Sequence, residues 1–189
     1  GSITMLATDK TGTLTQNKMT AVSAWINGSY YAVTDNQDSV QDENLLQKET
    51  PNACVLASAC CLCSKASFDD SPEEANKPIK ERNIFGDATE CGLLRFAANR
   101  INVLEEREMH PKVYEIPFSS ATKWHLTIHE WGKNEDSSTS FYRIFLKGAP
   151  ERVIGMCTQI LKRSQPEPID EQVMTSFNSA YETYASNGQ

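Results

Sequence analysis

The chain has 189 residues, with 18 Lys and Arg against 25 Asp and Glu and a net charge of −7. A chain of this length buries roughly 70% of its unfolded surface, enough for one core without disulfide or metal staples. The acidic balance, with an isoelectric point near 5.0, argues against nucleic acid or anionic lipid as the main partner, because both select basic patches.

The apolar run Ile3 to Thr8 reads as a buried parallel strand. Such strands carry chemistry at their carboxyl ends, here Asp9-Lys10-Thr11-Gly12-Thr13. Met19 to Ile26 and Ser29 to Val33 flank Asn27-Gly28, the pair expected of a tight hairpin. A polar stretch from Thr34 to Lys48 precedes a helix expected from Pro51 to Ala66, with Thr50 as its cap. Its apolar core, Ala53 to Cys63, is interrupted by Ser58 and is about half the length of a bilayer-spanning helix. No signal-peptide pattern opens the sequence.

Phe68 to Arg82, rich in Asp, Glu, Pro and Lys, is expected to be a surface loop. Asp87-Ala88-Thr89-Glu90 opens a helix reaching Asn99, and a shorter helical pattern runs from Asn102 to Met109. Strands are expected at Val113 to Phe118, Trp124 to Trp131 and Phe141 to Lys147, with a polar connector from Gly132 to Ser140. Pro150 to Cys157 reads as a short helix. The last element runs from Asp170 to Ser186, with Val173, Phe177, Tyr181 and Tyr184 on one stripe. The expected class is α/β in the α+β sense, a mainly antiparallel twisted sheet of about six strands flanked by helices. One preceding strand belongs elsewhere.

Six cysteines stand at 54, 60, 61, 63, 91 and 157. They read as reduced packing residues, because Cys60, Cys61 and Cys63 have no second ligand pair at zinc spacing. His125 and His129 alternate with Leu126 and Ile128 on a strand, which separates their rings by about 13 Å. One zinc cannot hold both, and solvent-facing strand histidines are the expectation. Neither GxxxxGK[ST] nor GxGxxG occurs, so no P-loop or dinucleotide fold is supported.

Asp9-Lys10-Thr11-Gly12-Thr13-Leu14-Thr15 carries the most chemistry. A strand-end carboxylate can attack a phosphoryl group to give an acyl phosphate, Lys10 supplies charge, and Gly12 admits close backbone approach. Asp87 and Glu90 alone form a serviceable capping box, in which Glu90 reaches back to a backbone N–H. Phe118 could be core, and Lys147-Gly148-Ala149-Pro150 could be a strand end turning into a helix.

Together these segments resemble the P-type ATPases, over almost the whole chain. The resemblance rests on Asp9 to Thr15, Gly86 to Glu90, Ile116 to Ser120 with Lys123, and Lys147 to Arg152, in that order. It is nearest to the sodium/potassium and proton/potassium pump α subunits. It implies that residues 1–18 begin the phosphorylation domain and residues 19–189 form the nucleotide-binding domain. It makes Asp9 the phosphorylated residue, with Lys10, Thr11 and Thr13 beside it and Asp9 and Thr11 holding Mg2+. Asp87, Glu90, Phe118, Ser119, Lys123, His125, Lys147, Gly148 and Ala149 are then the ATP-binding set. Those α subunits usually carry glutamine where His125 stands, so pH-sensitive affinity is an expectation here.

The implied parent is an integral membrane pump with this part on the cytosolic face. Its partners are ATP, its own phosphorylation, actuator and membrane domains, and an accessory subunit. The fragment itself is expected to be a soluble monomer that binds ATP without turnover. A free-standing phosphatase of the haloacid-dehalogenase kind is the alternative enzyme, but its usual second Asp is replaced by Thr11, which cannot activate water at neutral pH. A non-catalytic interaction module, built on the loops from Phe68 to Arg82 and Gly132 to Ser140, is the third reading.

Overall fold

The computed structural model of the chain describes residues 19–34, 45–79, 81–133 and 140–187. The expected phosphorylation strand and loop, and with them Asp9, Lys10, Thr11 and Thr13, lie outside the described residues.

Strands β1 (Ser23–Ile26) and β2 (Ser29–Ala32) form the expected hairpin. Asn27 at φ 56° and Gly28 at φ 80° both occupy the left-handed region, which matches the turn to the strand twist. Helix α1 (Ala53–Leu62) is shorter than expected at both ends. Thr50 does not cap it: its Oγ1 accepts the Gln47 N–H at 3.1 Å, and the helix starts from Asn52 in the left-handed region at φ 67°. Ala53, Ala57, Cys60, Cys61 and Leu62 are buried. Small side chains at four of those positions let α3 (Ala88–Ala98) and α4 (Val103–Met109) pack closely against it.

The segment from Phe68 to Arg82 is more than a surface loop. Strands β3 (Ser67–Phe68) and β4 (Ile84–Phe85) pair across it, and α2 (Pro72–Ala75) lies between them. Glu74 is buried there because donors surround it: Lys77 Nζ at 2.5 Å, the Asn83 N–H at 2.9 Å and Asn83 Nδ2 at 3.0 Å. A buried carboxylate survives only with such partners, and composition alone does not reveal them.

Strands β5 (Lys112–Ile116), β6 (Trp124–Lys133) and β7 (Ser140–Gly148) form an antiparallel sheet in that order. Ile116, Leu126 and Leu146 stand in register across it. After α5 (Pro150–Val153) and a single 3-10 turn (Ile154–Met156) comes a hairpin the sequence did not announce, β8 (Gln159–Lys162) and β9 (Gln165–Pro168). Its turn is Arg163-Ser164, both at positive φ. Helix α6 (Glu171–Ser186) is capped by Asp170, which accepts the Val173 N–H at 2.8 Å. Its stripe packs on the first hairpin, Phe177 against Trp25 and Tyr184 against Tyr30.

The antiparallel, helix-flanked character matches expectation, but a single six-stranded sheet does not appear. Among the described residues the strands fall into one three-stranded sheet and three two-stranded ones. The core lies between α1, α3, α4 and the inner face of β6 and β7, around Leu46, Leu62, Leu94, Phe96, Val103 and Phe145. Cys60, Cys61 and Cys63 belong to it, and burial pushes the Cys60 thiol up to about 12 and Cys61 to about 11. Thiols held neutral in this way behave as small hydrophobes.

Candidate functional site

Five separate segments converge on one cleft of about 620 Å³. The start of α3 supplies Asp87, Thr89, Glu90 and Leu93, the end of β5 leads to Pro117 and Phe118, and the strands contribute His125, Lys147, Gly148 and Ala149. Lys65, just after α1, completes the wall. A wider depression of about 730 Å³ lies between the first hairpin and α6. Its charged lining residues are Asp170 and Glu171, which repel phosphate, so it does not compete as a nucleotide site.

Asp87 is the N-cap expected of it. Its Oδ1 accepts the N–H groups of Thr89 at 2.9 Å and Glu90 at 3.3 Å. Glu90 does not close the capping box. Its Oε2 accepts the Lys65 N–H at 2.9 Å, and its Oε1 pairs with Lys147 Nζ at 2.6 Å. Burial alone pushes the Glu90 carboxyl up, but Lys147, the Lys65 N–H and His125 together bring it below its ordinary value. Lys147 is therefore an ion-pair partner of Glu90 before it is a free cation for phosphates.

The histidines do not face solvent. His125 is 1% exposed and His129 3%, with the fully buried Thr127 between them. The alternation was read in the wrong phase, because the polar residues of β6 point inward, where Thr127 and His129 find partners on α1 and His125 finds its own on β5 and α3. His129 Nδ1 lies 2.8 Å from the His110 carbonyl and Nε2 lies 3.1 Å from the Leu62 carbonyl, which also accepts Thr127 Oγ1. His125 Nε2 lies 2.9 Å from Glu115 Oε1. Glu115, diagonal to His125 across β5 and β6, was missed, although a carboxylate at the buried phase of a strand is a readable signal. Lys65 carried no such signal.

Phe118 stands 61% exposed on the rim of the cleft. Ser119 and Lys123 lie outside its lining. They build a turn instead: Ser119 Oγ meets Thr122 Oγ1 at 2.7 Å, and the Lys123 N–H donates to the Ser119 carbonyl at 2.8 Å. The Lys123 carbonyl in turn accepts the Ala149 N–H at 2.9 Å, which fastens this turn to the end of β7.

Glu115 yields a pH prediction. Burial raises its carboxyl, but Lys112 at 2.6 Å, His125 at 2.9 Å and Lys65 at 3.4 Å bring it from 4.5 down to about 2. A depressed carboxyl stabilises the fold above its ordinary value, and that contribution is lost as pH falls from 4.5 towards 2. Chemical denaturation of wild type and Glu115→Gln is therefore expected to show a stability gap that is widest near neutrality and closes in acid. A gap that stays constant down to the acid limit contradicts the assignment.

The sequence pattern of the family described as P-type ATPase, cytoplasmic domain N, matches residues 53–189. The chain belongs to that family. It is 36% identical over 184 residues to the sodium/potassium-transporting ATPase subunit alpha-3 of Gallus gallus, covering 96% of this chain and 17% of that protein. It is 35% identical over 190 residues to the potassium-transporting ATPase alpha chain 2 of Cavia porcellus, covering 100% of this chain and 18% of that protein. The chain thus spans less than a fifth of the length of these curated relatives. Among the described residues no helix is long and apolar enough to cross a membrane.

Proposed function

We propose that the chain is the ATP-binding domain of a P-type cation-transporting ATPase. The observation that carries this reading is the convergence of Glu90, Phe118, Lys147 and Gly148, far apart in sequence, on one cleft. The cleft fits a nucleotide. Its volume lies within the range of small-molecule sites, roughly 300–1,000 Å³. Phe118 offers an exposed flat ring to adenine, Gly148 lines the cleft with backbone, and Lys65 and Lys147, which pair with Glu115 and Glu90, are the cations within reach of phosphate charge.

In the parent pump Asp9 takes the phosphoryl group, with Lys10 and Thr13 beside it. Asp9 and Thr11 are the residues that hold Mg2+, which neutralises phosphate charge when bound. Residues 1–18 belong to the phosphorylation domain and residues 19–189 to the nucleotide domain. The other partners are the phosphorylation, actuator and membrane domains of the same pump and an accessory subunit, with this domain at the cytosolic face of the membrane. By itself the fragment is a monomer that binds ATP without hydrolysing it, because the groups that orient the γ-phosphate belong to the rest of the pump.

Calorimetric titration with ATP, with and without magnesium, tests this on wild type and Phe118→Ala. Saturable and largely magnesium-independent binding is expected. The variant should lose about 1–3 kcal/mol of affinity, the value of one base–aromatic stack. Its melting temperature should hold, since so exposed a ring contributes little to the core. No binding at millimolar ATP, or equal binding by the variant, overturns the reading.

A further inference from the structure

Helix α3 carries a buried glycine, Gly92, two residues beyond Glu90. Glycine is a poor residue for a helix interior, so its place there asks for a physical reason. The reason is a close backbone approach. A Cβ at Gly92 would stand 2.7 Å from the Met19 carbonyl oxygen, 3.1 Å from the Met19 carbonyl carbon and 3.4 Å from the Met19 Cβ. The Met19 main chain therefore lies directly on α3, and the missing side chain admits it.

Of the two partners in this contact, α3 is the fixed one. Asp87 caps its start, and Leu94 and Ala97 lie fully buried in the core. Met19 is 60% exposed, and neither it nor Thr20 belongs to a helix or strand. The chain is tied down again at Ala21, which packs against the core, and at Val22, whose carbonyl accepts the Val33 N–H at 2.9 Å. A side chain at position 92 displaces Met19 rather than the helix.

Met19 stands ten residues after Asp9. Ten residues span at most about 33–36 Å, so the place where Met19 is held bounds where Asp9 can stand relative to Glu90. We propose that Gly92 is a positioning residue for phosphoryl transfer, because it seats the chain that leaves the Asp9 segment on the helix that carries Glu90. In that transfer an Asp9 carboxylate oxygen bonds to the γ-phosphorus of ATP. The bond from that phosphorus to the β–γ bridging oxygen breaks, and ADP leaves with the electron pair. The seat sets the direction from which the acceptor approaches the nucleotide, and losing it leaves the cleft intact but the line of attack unset. The transfer half of this inference rests on the function proposed above, whereas the seat itself does not.

Nuclear Overhauser spectra of the chain read the seat directly. Contacts between the Gly92 Hα protons and the Met19 side chain are expected, and their absence in wild type overturns the proposal. Gly92→Ala is expected to lose the contact to Met19 and to be cut by trypsin after Lys18 about fivefold faster or more. Its melting temperature should hold or rise, since alanine is the better helix former, and its ATP affinity should stay within about twofold of wild type. A lower melting temperature or weaker ATP binding puts the clash in α3 and overturns the proposal, as does unchanged cleavage. In the parent pump the variant should form phosphoenzyme about tenfold more slowly or worse at saturating ATP, with Gly155→Ala at the wild-type rate. An unchanged rate denies the positioning role. A wild-type parent that forms no phosphoenzyme removes the proposed function and the transfer role together, and leaves the seat standing.

Discussion

Gly148→Ala is expected to unfold more easily than wild type by about 2–3 kcal/mol, and to bind ATP at least about tenfold more weakly. Gly148 ends β7 opposite Trp124, where the turn from Ser119 to Lys123 closes over the strand. A Cβ there meets the Trp124 Cα at 2.7 Å and lies closer still to the Lys123 carbonyl oxygen. Both obstacles are backbone, so no side-chain rotation relieves them. The strand end must move away from Lys123, and the Ala149 N–H bond to the Lys123 carbonyl goes with it. Lys147 and Ala149 flank the moved residue and line the cleft, so the damage reaches the site as well as the fold. Gly155 serves as the control, because a Cβ at that position meets nothing within 4 Å. Urea denaturation and ATP titration of both variants check the argument. A Gly148→Ala chain indistinguishable from Gly155→Ala in stability and affinity contradicts it.

The same close approach shows what sequence reading reached and what it did not. Glycine before Ala149-Pro150 marked a strand end, and Asp87 marked a helix start. Both are local signals and both stand in the structure, but the space beside Gly148, read as open to a ring, is filled by the backbone of Lys123 and Trp124. Asn27-Gly28 was legible for the same reason, because only a few residue types tolerate two successive left-handed positions. His125 and His129 were not legible. Alternation gives two faces but does not say which is inside, and the usual rule that polar residues face water fails when a neighbouring helix and strand bring acceptors. Those acceptors, the Leu62 and His110 carbonyls and the Glu115 carboxylate, lie 10 to 67 residues away in sequence. Lys65 enters the cleft through its backbone N–H as well as its side chain, and a backbone donor leaves no trace in residue type. The roles of Asp9 to Thr13 rest on the motif itself.

The β8–β9 hairpin escaped notice because its left-handed turn residues are Arg163 and Ser164, and the reason they can adopt that conformation leads to the second large effect. Asn52→Ala is expected to cost about 3 kcal/mol of stability, from roughly 1 kcal/mol of left-handed strain and about 1 kcal/mol for each of two or three hydrogen bonds. Asn52 itself sits at φ 67° and joins three elements. Its Nδ2 donates to Asn27 Oδ1 at 2.6 Å and to the Leu161 carbonyl at 3.1 Å, and its Oδ1 accepts the Ser164 N–H at 3.1 Å. Asn27 Oδ1 also accepts the Arg163 N–H at 3.3 Å, and Asn27 Nδ2 donates to the Pro51 carbonyl at 2.9 Å. Two asparagines thus knot both hairpin turns to the start of α1. Asn52→Gly separates the two contributions, since glycine keeps the backbone conformation and loses only the side-chain bonds. It should recover about a third of the alanine loss, the share assigned to backbone strain. Combining Asn52→Ala with Asn27→Ala should cost less than the sum of the single changes, because the two side chains share bonds. Urea denaturation of the four chains measures all of this. An Asn52→Gly chain as stable as wild type reduces the knot to a matter of backbone strain, and strict additivity of the pair denies that the two turns are tied through it.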